Sequence, residues 1–286
     1  MRLDHPIFQG PLPVELELAE IETPAHYRDW PGGAGLPARL PVWRVQAADL
    51  SPIVSRGTIA DPYGFEDSPD AEWISSGINS KSYRSLALGR HGNFFYWGFS
   101  ADPAHMTASG RTVFLNVLVY MRGFQGARPL VRREARSREW AGIYVSYVRR
   151  AQQGEGVADS SQLGALRKYF PDAVLSRLGV EAAPLAEYYQ QNLEYLQPAE
   201  RGFGFVADPD LAALQVSNRR PELLERLATL LEERGPDDAV VLRLFRQYLP
   251  AEAPRSAAGY AAWLERNRAR LFFSDVGGFR WFLAPP

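Results

Sequence analysis

The stretch from Tyr83 to Phe124, YRSLALGRHGNFFYWGFSADPAHMTASGRTVFLNVLVYMRGF, constrains the fold more than any other part of the chain. It reads as a strand, a tight Arg90-His91-Gly92-Asn93 turn, a second strand, an Asp-Pro break and one apolar helix. Leu86 and Leu88 alternate with small or polar neighbours, and Phe94-Phe95-Tyr96-Trp97 is an unbroken aromatic run that suits a pleated surface covered on both faces. Gly92 and Asn93 are expected to supply the positive φ of a short reversal, which places Arg90 and His91 at its mouth. In the helix, Val113, Phe114, Val117, Leu118 and Met121 form one apolar face while Leu115, Val119 and Tyr120 cover much of the other, so burial nearly all round is expected. Thr107 is the expected N-cap and Gly123 the expected stop.

A chain of 286 residues accommodates two domains of ordinary size. We expect a division into residues 1–127, an α/β or α+β domain, and residues 128–286, a mainly helical domain that ends in a short hairpin. Net charge is −1 and the isoelectric point about 6.5. Neither a nucleic acid nor an anionic membrane is therefore an expected partner. There is no cysteine, which excludes disulfides, thiolate metal sites and a cysteine nucleophile on this chain. MRLDHPIFQG lacks the pattern of a secretory leader and no apolar run approaches a membrane span, so a cytoplasmic location is expected.

Along the chain, Val14 to Ile21 and Val42 to Gln46 read as extended segments, separated by a Pro- and Gly-rich loop from Tyr27 to Pro41. Asp61 to Lys81 gathers Asp61, Glu66, Asp67, Asp70 and Glu72. Beyond an arginine-rich connector, Trp140, Ile143, Tyr144, Tyr147 and Val148 keep helical spacing. Gln152 to Ser160 reads as a joint, Leu163 to Phe170 and Val174 to Leu178 as short helices, and Pro184 as the opening of another. Gly202 to Ala207 reads as a short strand. Leu223 to Leu231 and Val240 to Leu249 form a helix pair, and LFFSDVGGFRWFL forms a hairpin across Asp275-Val276-Gly277-Gly278.

His91, with Asp102 and His105 beyond the neighbouring strand, is the candidate acid–base group, because a histidine oriented by a carboxylate is poised near neutral pH. The competing reading makes His91 a locally bonded turn residue and Asp102 the cap of the Pro103 turn. Arg90, Asn93, Glu66, Asp67, Asp70, Asn79 and Lys81 are candidate ligand-binding residues. The acidic run misses the spacing of a calcium loop, and His5 and His26 lack partners at metal-ligand spacing. No metal site and no cofactor are expected. Tyr188, Tyr189 and Tyr195 are candidate stacking residues or core.

Three pieces together, Asp4-His5-Pro6-Ile7 followed by Gly10, the strand pair through Gly89 to Gly98, and the helix MTASGRTVFLNVLVYM, resemble the closing part of trehalose-utilisation-protein-like, or class I glutamine-amidotransferase-like, domains. The resemblance implies a flavodoxin-like tail ending in β-β-α. The family's opening strands would lie upstream of the His-Pro segment, so the first domain is expected to be incomplete, either as a truncated descendant of that family or as a domain whose missing half a second copy or a separate protein supplies. WLERNRARLFFSDVGGF resembles a helical segment that accompanies such domains in some bacterial proteins, an association that implies no activity. The family's nucleophile is a cysteine, so glutaminase chemistry is unsupported. The favoured expectation is a non-catalytic ligand-binding or protein-interaction module. The alternative is a hydrolase- or isomerase-like enzyme acting on a small polar or carbohydrate substrate through His91 and nearby carboxylates.

Overall fold

The computed structural model describes residues 1–30, 32–47, 57–153 and 166–286. Pro31, most of the expected Gln152–Ser160 joint, and Leu163 lie outside the described residues. The chain divides into two compact units, one of residues 1–66 and 70–129, the other of residues 67–69 and 130–286.

The first unit holds two small sheets. β1 (Leu18–Glu22) pairs antiparallel with β2 (Arg39–Trp43), from Leu18 opposite Trp43 to Glu22 opposite Arg39. This ribbon lies within the region where the sequence shows extended segments, but β2 starts at Arg39, inside the stretch expected to be loop. β3 (Ala71–Ser76), β4 (Leu86–His91) and β5 (Phe94–Trp97) form an antiparallel sheet with β4 in the middle. Leu86 to Arg90 are all buried, as a strand covered on both faces requires. Positive φ in the β4–β5 turn falls on Gly92 alone, at 56°; Asn93 does not share it, contrary to expectation. Gly92 is required twice over, since a Cβ there would stand 2.5 Å from the Pro129 nitrogen.

A short helix, Pro6–Gln9, and a long one, Ala108–Met121, pack on each other and on the sheet. Their shared core is Ile7, Phe8, Ile74, Leu88, Val113 and Val117. The long helix is not buried all round. Leu115, Leu118 and Val119 are 48%, 53% and 47% exposed. A helix has two sides and this unit builds a layer against only one of them, so half of an apolar cylinder faces solvent.

In the second unit the helices Glu139–Gln152, Asp172–Leu178, Ala182–Asn192, Pro209–Leu214, Glu222–Arg234, Ala239–Tyr248 and Ala257–Asn267 are interleaved with two hairpins. These are β6 (Leu196–Pro198) with β7 (Phe205–Ala207), and β8 (Leu271–Ser274) with β9 (Arg280–Leu283). Apolar residues at helical spacing give the longer of these helices a buried stripe, such as Leu223, Leu227, Leu230 and Leu231 at i, i+4, i+7 and i+8. Two clusters result. One gathers Leu223 to Leu231, Leu244, Tyr248, Tyr260 and Trp281; the other gathers Tyr144, Phe170, Leu185, Tyr189, Phe205 and Phe279. The terminal hairpin serves both, for Trp281 belongs to the first, Phe279 to the second, and Phe273 packs on each. Tyr188 and Tyr189 are core, 9% and 3% exposed.

Helices and exclusively antiparallel strand pairs among the described residues make the fold α+β. No helix among them is long and apolar enough to cross a membrane.

Candidate functional site

The Ala108–Met121 helix is fixed at both ends and along its inner face. Thr107 caps it, its hydroxyl accepting from the Gly110 amide at 3.0 Å, and Gly110 lets the first turn approach the Val45 carbonyl, which a Cβ would meet at 2.6 Å. The Ser109 hydroxyl accepts from the Trp43 indole at 2.9 Å. Asn116, fully buried, donates to the carbonyls of Ile7 and Leu12, each at 3.0 Å, and accepts from the Leu12 amide at 3.0 Å. Its amide thus pins the N-terminal segment to mid-helix, and a buried amide with several partners is a strong positional constraint.

The C-terminal end is held by a charge cluster. Glu72 Oε2 accepts from the Tyr120 hydroxyl at 2.6 Å, from Arg90 Nε at 2.8 Å and from His5 Nε2 at 3.4 Å. Arg90 also donates to the Gly92 carbonyl at 2.9 Å and lies 3.8 Å over the Phe124 ring. Burial by itself would raise the Glu72 carboxyl, but the bonds from Arg90 and Tyr120 outweigh it and hold its pKa at about 2. The Tyr120 phenol is pushed up to about 12, by burial first and then by its bond to Glu72. Burial lowers the His5 pKa against the opposing pull of Glu72. His5 Nδ1 accepts from the Ile7 amide at 3.4 Å, which assigns the proton of the neutral ring to Nε2. With both nitrogens engaged and the carboxylate held ionised, this cluster is a structural clamp rather than an acid–base pair.

The sequence-selected residues are dispersed. His91 lies 3.4 Å from Asp70 and edge-on to Phe65. Asp102 and His105 pair with each other at 3.0 Å on the Pro103–His105 turn, where Asp102 also accepts from the amides of Ala104 and His105. Asn79 organises its own loop, accepting from the amides of Lys81 and Ser82 and donating to the carbonyls of Gly77 and Ser82. Glu66 and Asn93 are exposed. The acidic run is split: Asp61 accepts from the Tyr63 amide, Asp70 faces His91, Glu72 enters the clamp, and Asp67 belongs to the second unit. Among the described residues no group of His, Asp and Glu is placed to hold a metal ion. Sequence reasoning set His5 aside and did not select Tyr120; the Pro6 that follows His5, marking it as a helix cap, was the available signal.

In the second unit Asp275 receives Arg138 side-on, with Nε–Oδ2 at 2.9 Å and Nη2–Oδ1 at 2.7 Å, and Arg138 is 3% exposed. The same guanidinium donates to the Leu193 carbonyl and to Asn218 Oδ1. Asp67 Oδ2 accepts from the Asp275 amide at 2.8 Å. Burial, and then the charge of Asp275, push its pKa up to about 6. Asp208 accepts from Arg243, from the Tyr248 hydroxyl at 2.6 Å and from the amides of Asp210 and Leu211. An open groove of about 570 Å³ runs past Leu178, Pro184, Tyr188, Asn192 and Pro209, with Arg177 4.9 Å over the Tyr188 ring.

The surface feature that these anchored elements leave unaccounted for is the outer side of the Ala108–Met121 helix. Arg111, Leu115, Leu118 and Arg122 recur at i, i+4, i+7 and i+11, and all four are exposed; Val119 lies beside them. The result is one apolar stripe with an arginine at each end. Comparison of the chain with protein-family models, with curated proteins and with solved structures finds no match in any of the three.

Proposed function

We propose that the first unit is a non-catalytic protein-interaction module and that its contact surface is the outer stripe of the Ala108–Met121 helix. The observation that carries this is the exposure of Leu115, Leu118 and Val119 side by side on a helix whose inner face is fixed by Thr107, Asn116 and the Glu72 clamp. Full burial of a leucine or valine is worth roughly 1.5–3 kcal/mol, and at about half exposure each of these side chains forgoes about half of that. Covering three of them on a pre-ordered helix recovers that energy at little conformational cost. Supporting the non-catalytic part of the reading, Glu72 is held by Arg90, Tyr120 and His5, all within the same unit.

The likeness of the β4–β5 hairpin and the following helix to the closing β-β-α of amidotransferase-like domains belongs to the same proposal, as does the reading of the two units as separate domains. The order of hairpin and helix supports the former. The separate cores of the two units support the latter.

The test is binding of amphipathic helical peptides to the full chain, together with its mass by sedimentation equilibrium. We expect either saturable peptide binding or self-association, in each case abolished by the double substitution Leu115→Glu/Leu118→Glu with the circular dichroism spectrum unchanged. A chain that stays monomeric at about 0.1 mM and takes up no such peptide refutes the reading.

A further inference from the structure

Resting on that reading, we propose that the partner of the stripe is an amphipathic helix carrying carboxylates at both ends of its apolar face, supplied by a different protein and not by a second copy of this chain. Arg111, one of whose guanidinium nitrogens donates to the Met106 carbonyl at 2.8 Å, and Arg122 are both exposed and bracket Leu115 and Leu118 on one side of the helix. Eleven residues at 1.5 Å per residue put them about 16 Å apart along the axis. The chain carries no acidic residue from Pro103 to Arg133, so the helix offers a copy of itself no carboxylate to answer either arginine.

Two-fold pairing of this helix with its copy brings like charges together in either direction. Parallel pairing sets Arg111 on Arg111 and Arg122 on Arg122. Antiparallel pairing centred between Leu115 and Leu118 sets Arg111 on Arg122 twice. Like charges across a contact select against a partner even where the apolar surfaces match. A helix with leucines at its centre and glutamate or aspartate near both ends meets the same surface with two charge-assisted bonds. Apolar area supplies affinity and the terminal arginines supply choice of partner and direction.

The probe is a fluorescein-labelled helical peptide with leucines at i, i+4 and i+7 and a glutamate flanking them at each end. Its control replaces both glutamates with lysine. Anisotropy titration of the full chain is expected to give binding at least tenfold tighter for the glutamate peptide, with a preference that shrinks as salt is raised. Arg122→Glu is expected to erase or invert the preference while both peptides remain bound. Equal binding of the two peptides, or a chain that dimerises through this stripe and becomes monomeric on Leu118→Glu, overturns the acidic-partner proposal and leaves the interaction reading standing. Binding of neither peptide by a monomeric chain overturns both.

Discussion

The two units solve the problem of burying apolar side chains to different degrees. The second wraps its helices around two clusters joined by the terminal hairpin; the first lays one long helix against one small sheet around a single cluster. Among the described residues, Leu193 and Phe203 are the second unit's exposed large apolar side chains, while the first exposes Leu18, Ile78, Phe94, Leu115, Leu118 and Val119 besides residues near its start. The lesson lies in where the surplus sits. The proposed contact surface rests on apolar side chains left exposed on a helix that is pinned at both ends, where covering them costs little ordering.

The comparison breaks first at its buried charges. Arg138→Ala leaves the Asp275 carboxylate buried without its guanidinium and is expected to cost about 3–5 kcal/mol, read from urea unfolding of the full chain. A loss under about 1 kcal/mol would mean that the second unit is not built around this pair. Next is Val117→Ala on the inner face of the long helix, where Val117 is 4% exposed. It is expected to cost about 2 kcal/mol through lost burial and the void left behind.

Acid sharpens the contrast further, because Glu72 in the first unit and Asp67 in the second respond in opposite senses. Glu72 has a folded pKa of about 2 against an ordinary 4.5. Its stabilisation is complete above about pH 4.5 and is lost as pH falls toward 2. Asp67 has a folded pKa of about 6 against 3.8. Its contribution is complete below about pH 3.8 and is lost as pH rises through 6. Each effect is expected at about 1–2 kcal/mol after solvent screening. Glu72→Gln should remove the acid-side loss, and Asp67→Asn should flatten stability between pH 4 and 6, both followed as denaturant midpoints across pH. The smallest effect is the most telling. Leu118→Ala, one residue along from Val117, is expected to leave stability within about 0.5 kcal/mol while weakening peptide binding several-fold. A stability loss matching that of Val117→Ala would mean that the stripe is core.

Much of the local structure was legible. The strand reversal at Gly92, the Thr107 cap, the helical spacing of Tyr144 and Val148 and the hairpin across Asp275-Val276-Gly277-Gly278 are short-range matters, set by φ preferences, capping and periodicity within a few residues. The candidate site was legible only in part. Arg90 and Glu72 were in view, yet their junction with Tyr120 and His5 spans 48 and 67 residues from Glu72, and nothing local to any of them announces it. Asp67 and Asp70 look alike in sequence and are parted by the fold, one to the Asp275 amide and the other to His91.

By itself the sequence determined that a helix follows the Thr107 cap, that it is apolar, and that no thiol chemistry belongs to this chain. Which side of that helix meets the core was decided only by tertiary structure. A cylinder apolar on both sides carries no preference in its own periodicity. The choice came from Asn116, whose amide finds the Ile7 and Leu12 backbone on one side alone, and from Tyr120, whose hydroxyl finds Glu72 there. Polar groups that must be satisfied when buried orient the helix, and the leucines opposite them are left to water or to a partner.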